Sequence, residues 1–371
     1  MSISIHPAPP DEPVAEGLPP RRWRKLRWAA GFTGVVIVAA LIGAATIRVP
    51  YYSISPGTAF DVARLVQVSD GNPSYPPDGS VFMTTVSLRH ATLLGALRGW
   101  LDRNVDVVDE EKIRPKSVRP DEAERENLEA MSTSKEQALA VAFEHLGYDA
   151  IQGTGATIDE VVDDTPAQGI LKAGDTITKV DDTAVELDAD AVRAIRAHEP
   201  GDEVRLTVEP KGGGATSEVT VALIANPEAR TQPLLGVTLR TRALKLSVPY
   251  QVAINSADIG GPSAGLAFTL ELLDVLTPGE LTGGRKVAAT GTIELDGRVG
   301  LVGGVAQKTV AVKRAGAELF LVPSEEVAEA RRVAGKGLRV EAVRDLDDAL
   351  RILAGIGGNG LTLGRPGQDG A

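Results

Sequence analysis

Nineteen consecutive uncharged residues, 29–47 (AAGFTGVVIVAALIGAATI), constrain this 371-residue chain more than any other stretch. As a helix they would rise about 28 Å, close to the thickness of a bilayer's hydrocarbon core. Arg21, Arg22, Arg24, Lys25 and Arg27 come just before them, with Trp23 and Trp28 at the depth expected of interfacial aromatics. Clustered Lys and Arg stay cytoplasmic, so the run reads as a single-pass transmembrane helix that sends everything after Arg48 outside the cytoplasm. A cleaved signal peptide is the competing reading, since alanines close the segment. The length of the run, and of the leader before it, favours an uncleaved anchor in the cell membrane.

Residues 1–28 read as a disordered basic tail rich in Pro, Glu and Arg. The rest of the chain is acidic: 34 basic side chains face 47 acidic ones, and the whole chain carries −11. Such a body has little with which to neutralise phosphates, which argues against nucleic acid as a partner. There is no cysteine, so disulfides, thiol catalysis and cysteine metal sites are excluded. With only four scattered histidines, no metal and no cofactor is expected.

Residues 48–146 read as a membrane-proximal α/β region. It holds a strand at 81–86, a helix at 91–101 with leucines at helical spacing, and a further helix opened by Ser134 with Gln137 as a capping box. From 147 to 224 the pattern changes to short alternating strands around a helix at 189–197. There the run Thr165-Pro166-Ala167, Leu171-Lys172-Ala173-Gly174-Asp175-Thr176-Ile177 and Val180-Asp181-Asp182 resembles bacterial PDZ domains, departing at Asp182, where that family usually has glycine. The resemblance implies capture of an extended peptide end by strand addition, with Gly153, Thr154, Gly155 and Ala156 as the candidate carboxylate loop. A β-rich spacer without a ligand is the plainer alternative.

Residues 225–355 alternate strands and helices, and 356–371 read as a flexible tail. Within them Gly261-Pro262-Ser263-Ala264-Gly265 fits the G-x-S-x-G elbow of α/β-hydrolases. That order needs a histidine after the serine, and His6, His90, His145 and His198 all precede it. The hydrolase reading is excluded. Pro262 suits a helix's first turn, so Ser263 is expected at the mouth of a helix over 264–276, among N–H groups free to hold an oxyanion. Gly261, Pro262 and Ala264 are the candidate oxyanion positions. A second helix over 305–315 puts Lys308 on its apolar face beside Val305, Thr309 and Val312. A buried lysine loses basicity and can serve a serine as general base, whereas one at a helix edge simply snorkels to water. Periodicity alone leaves both open.

Gly261 to Gly265, Thr290-Gly291-Thr292-Ile293, Gly297-Arg298-Val299, Val302-Gly303-Gly304-Val305-Ala306-Gln307-Lys308 and Leu321-Val322-Pro323 together resemble the proteolytic domain of Lon proteases over some 100 residues. The resemblance implies a compact α+β fold, Ser263 as nucleophile, Lys308 as base and Thr290 as the group orienting the lysine. It departs at Gly260, where many relatives place Asp, with Asp258 two residues earlier. No G-x-x-x-x-G-K-[ST] phosphate loop occurs in the sequence. Anchor, PDZ and Lon-type segments in this order resemble membrane-anchored, PDZ-containing Lon-like proteases of bacteria. That implies ATP-independent serine endopeptidase activity on protein or peptide substrates, with homo-oligomers a further expectation because Lon-type domains often form rings. A non-catalytic PDZ scaffold and an esterase are the alternatives from other classes.

Overall fold

The structure is a computed structural model and describes residues 32–33, 38–115, 118–227, 229–257 and 259–364. The expected tail at 1–28, part of the apolar run (29–31 and 34–37), Asp258 and 365–371 lie outside the described residues. Residues 38–46 are helical. Among the described residues no helix is long and apolar enough to cross a membrane.

The first half of the chain supplies β1 (Arg48–Asp61), β2 (Ser80–Thr92), α1 (Leu93–Leu101), β3 (Asp106–Asp109) and the long α2 (Pro120–His145). A second unit follows: β4 (Ala156–Val161), β5 (Thr176–Val180), α3 (Asp188–Arg196), β6 (Glu203–Glu209), β7 (Ser217–Ala222) and β8 (Val237–Thr241). The chain then returns through α4 (Gly265–Leu276), β9 (Lys286–Ala289), α5 (Val305–Ala315), β10 (Leu319–Pro323), α6 (Val327–Ala334), β11 (Arg339–Val343) and α7 (Leu346–Ala354).

One sheet joins the two outer parts, in the order β11-β10-β9-β2-β1-β3. β11, β10, β9 and β2 run parallel, and β1 is antiparallel to both its neighbours. Side chains alternate across these strands, and both faces are covered, as a parallel sheet requires. Val287, Ala289, Leu319 and Leu321 join the core with α2, α4 and α7, while Ala288, Phe320 and Val322 pack with α5 and α6 on the opposite face. Residues 48–146 are therefore no separate membrane-proximal region: Val62, Val81, Met83 and Phe143 share one core with Leu266, Leu270 and Val287. Local periodicity found the elements but could not pair Ser80–Met83 with Lys286–Ala289, some 200 residues away.

The second unit is an insertion. Its sheet runs β7-β6-β5-β4-β8 around Ile158, Ile177, Ala191, Ile195, Leu206 and Val221. It extends past the expected boundary at 224, because Val237–Thr241 pairs with Ala156–Val161. Incoming and outgoing chains lie side by side at the neck, with Lys245 opposite Gln152 and Leu246 opposite Ile151.

Two local expectations fail. Ser134 does not open a helix, since α2 begins at Pro120 with Asp121 and Glu122 in its first turn. The charged residues 120–130 lack an apolar stripe, so hydropathy gave no sign of the helix's first half. Nor is the end of the chain a free tail from 356 on. Ile356 and Leu363 pack against the core, and Asn359 donates to the Pro278 carbonyl at 2.9 Å.

α4 is buried on nearly every side, which leaves Glu271 and Asp274 inside the protein. Burial pushes Glu271 up to about 8 and Asp274 up to about 6, the latter opposed by the Leu281 N–H that Asp274 accepts at 2.8 Å. Both Glu271 carboxyl oxygens lack a partner among the described residues. A carboxyl raised in the folded state binds its proton more tightly there than in the unfolded chain. Its stabilisation is complete below the unfolded value, near 4.5, and is lost as pH rises through about 8. Stability should therefore fall across that window and Glu271→Gln should flatten the slope, by at most about 1.4 kcal/mol per pH unit. Urea unfolding of both proteins at pH 5 to 8 measures this; parallel curves would show that Glu271 does not titrate there.

Candidate active site

Ser263 lies just before α4 rather than in its first turn, and Ala264 caps the helix. The expected helix start at Pro262 is therefore displaced, and side-chain and main-chain clamps hold the loop instead. Gly261 takes φ +90°, a conformation that glycine adopts without strain, and its N–H donates to the Asn127 carbonyl at 2.8 Å. Ser134 Oγ, from the middle of α2, donates to the Pro262 carbonyl at 3.0 Å. Gly265 is needed for close approach, since a Cβ there would meet Ile293 N at 2.8 Å and Ser134 Oγ at 3.1 Å.

The Ser263 carbonyl accepts two hydrogen bonds, from Gly291 N–H at 3.1 Å and from Thr290 Oγ1 at 3.2 Å. Thr290 directly follows β9, at the carboxyl end of a parallel strand, where α/β sheets characteristically place ligands. Lys308 reaches the same threonine from α5, on the other face of the sheet, donating from Nζ to Thr290 Oγ1 at 3.1 Å. Only 2% of Lys308 is exposed, so the snorkelling alternative fails. Burial pushes its ammonium down to about 8, partly opposed by the negative charge of Glu326. Glu326, itself raised by burial, accepts the Val302 N–H at 3.1 Å and so also holds the loop that leads into α5. Gln307, the residue before Lys308, is also buried, and its Oε1 has no partner among the described residues.

Ser263 and Lys308 open onto one cleft of about 520 Å³, without a direct hydrogen bond between them. Such contacts commonly tighten only when substrate is bound. The cleft walls come from β1 and β2 (Ile54, Phe60 and Met83 to Val86), from Asn127 and Met131 of α2, and from Gly303 and Gly304. Half of this wall belongs to the region in which sequence reading found no chemistry. Asn127 acts through its main chain, which leaves no residue-type signal. Glu326 follows the Leu321-Val322-Pro323 block closely, but its nearness to Lys308, 18 residues earlier, is a property of the fold and left no local signal.

The three candidate oxyanion positions separate. Pro262 has no N–H, and that of Gly261 is committed to Asn127. The Ala264 N–H has no acceptor among the described residues, which leaves it free to meet developing negative charge beside Ser263.

In the inserted unit the expected carboxylate loop is already occupied. The Thr154 N–H donates to the Arg242 carbonyl at 3.0 Å, and Gly155 N–H to the Glu186 carbonyl at 3.0 Å. Arg242 also wraps Thr154, with Nη2 donating to its carbonyl at 2.7 Å. A Cβ on Gly153 would meet the Glu186 carbonyl oxygen at 2.3 Å, and Ala156 is paired within β4. Of the sheet's two end strands, β8 is the one beside α3, entered through Leu235 and Gly236 at φ +86°. The apolar-Gly-apolar run Leu235-Gly236-Val237 was the signal for it.

Residues 124–223 match the PDZ domain family, and residues 246–354 match the Lon protease (S16) C-terminal proteolytic domain. The Lon protease of Chloroflexus aggregans is 36% identical over 94 residues, 24% of this chain and 11% of that protein. That of Clostridium beijerinckii is 32% identical over 127 residues, 33% of this chain and 15% of that protein. The matches thus span only a small part of these relatives' length. The PDZ domain of an SdrC-like protein from Listeria monocytogenes is 29% identical, covering 23% of this chain and 87% of that one, with a TM-score of 0.21. The chain is a mixed α+β protein that carries a PDZ domain and a Lon-type C-terminal proteolytic domain, and the second of these supports a serine protease.

Proposed function

We propose that this protein is a membrane-anchored serine endopeptidase using a Ser263–Lys308 dyad, with the apolar run 29–47 as its anchor and its catalytic cleft outside the cytoplasm. The observation that carries the dyad is a buried Lys308 held by Thr290 on the cleft that Ser263 enters. Neutral Lys308 Nζ takes the proton as Ser263 Oγ attacks the scissile carbonyl carbon. The Ala264 N–H steadies the oxyanion. Collapse of the tetrahedral adduct breaks the C–N bond, and Lys308 passes its proton to the departing amine. Water then attacks the acyl-enzyme with Lys308 again as base, releasing the acid and restoring Ser263.

β2 outlasts β9. Pairing between them stops at Met83 and Ala289, whereas β2 continues to Thr92 with β1 on its other side. An extended substrate can add as a strand along Thr84–Leu88, placing aliphatic side chains against Ile54, Met83 and Met131. Unfolded segments fit this geometry, and they need no ATP-driven unfolding. The PDZ unit recruits or gates peptide ends along the β8 edge.

Ser263→Ala and Lys308→Ala should each lower cleavage of an unstructured reporter by about 10³-fold or more. Undiminished turnover in either variant would refute the dyad, and ester turnover that survives loss of Lys308 would point to an esterase.

Only the neutral amine is a base, so kcat/KM should rise with pH through about 8 and level off above it. Glu326 favours the charged lysine. Glu326→Gln should therefore move the bend to lower pH; a bend that stays in place would remove Glu326 from the electrostatics of the site.

A further inference from the structure

α1 is built the wrong way round for a helix of a soluble surface. It packs inward through small residues, Ala96 and Gly99. Gly99 lies so close to the neighbouring chain that a Cβ there would meet Val107 at 2.7 Å. Its large apolar side chains point outward instead: Leu93 is 51% exposed, Leu97 53%, Trp100 64% and Leu101 79%. Single exposed leucines are ordinary, but five large apolar side chains, Leu94 included, on one nine-residue helix mark a surface meant to be covered.

Position identifies the cover. The Leu93 N–H donates to the Ile47 carbonyl at 3.0 Å, so α1 starts where the apolar run 29–47 ends. The last turns of that run, at Leu41, Ile42 and Ile47, are exposed too, and they continue the same apolar surface. Charge agrees. Between residues 88 and 105 three arginines (Arg89, Arg98 and Arg103) face one acid, Asp102, in a chain of net charge −11. Basic groups beside a Trp-bearing apolar face suit the headgroup region of an anionic bilayer.

We infer that α1 lies in the membrane interface and seats the proteolytic unit on the lipid surface, an inference that rests on the proposed anchor at 29–47. The seat fixes the height of the cleft. β2 leaves the cleft wall at Leu88 and enters α1 at Leu93, five residues or roughly 16 Å of strand. At that height the cleft meets extended segments soon after they emerge from the bilayer, so juxtamembrane stretches of membrane proteins are the substrate class it favours.

The test uses the full chain carrying Trp23→Phe and Trp28→Phe, which leaves Trp100 as the sole tryptophan. It is reconstituted into phosphatidylcholine–phosphatidylglycerol vesicles, with and without acyl chains brominated near the headgroup. Trp100 should emit at blue-shifted wavelength and lose most of its intensity to bromine. Adding Leu97→Glu and Leu101→Glu should reverse both effects while the chain still floats with the vesicles. Floating chains whose Trp100 ignores bromine would overturn the inference and leave the anchor standing. Blue-shifted but unquenched emission that reverts on dilution would assign the face to a second copy, again overturning it. A chain that does not float refutes the anchor, and the seat with it.

Discussion

Two hydrogen bonds accepted by the Ser263 carbonyl, from Thr290 Oγ1 and Gly291 N–H, join what the large sheet otherwise keeps apart. Ser263 belongs to the face covered by α2, α4 and α7, whereas Lys308 belongs to the face covered by α5 and α6. The end of β9 is where both faces become reachable, because the strand stops there and no longer separates them. Thr290 uses one oxygen in both directions, donating to the serine's main chain while accepting from the lysine.

The lysine side of this arrangement has a cost that the fold must carry. An ammonium with 2% exposure has lost most of its water, and among the described residues Thr290 and the charge of Glu326 compensate it. Desolvation outweighs them, and the balance settles near 8. Full neutralisation by a close carboxylate would have kept the lysine charged and idle as a base. Glu326 spends an oxygen on Val302 N–H instead, so it tunes the lysine without capturing it.

The candidate site was legible in unequal parts. Ser263 and Lys308 stood out because a serine between glycines at a helix mouth and a lysine on an apolar helix face are local patterns. Thr290 came only through resemblance, since nothing about one threonine announces a hydrogen bond to a lysine 18 residues later. The site roles of Asn127, Ser134 and β2 were invisible: Asn127 accepts through its main chain, Ser134 donates to a carbonyl 128 residues away, and β2 walls the cleft by long-range packing. The carboxylate loop at Gly153–Ala156 was misjudged because a glycine-rich stretch looks open until Arg242 and Glu186 are found on its donors.

By itself the sequence determined the alternation of elements, the acidic body, the absence of cysteine and of a histidine after Ser263, and the candidacy of one serine and one lysine. Hydrophobic period and residue type suffice for these because each is a property of neighbours along the chain. Only the tertiary structure decided that residues 48–146 and 252–354 form one body split by an inserted PDZ unit, and that β2 rather than a local loop walls the cleft. It alone also turned the large side chains of α1 outward. Strand pairing across some 200 residues is set by which faces can be buried together, and no local window contains that information.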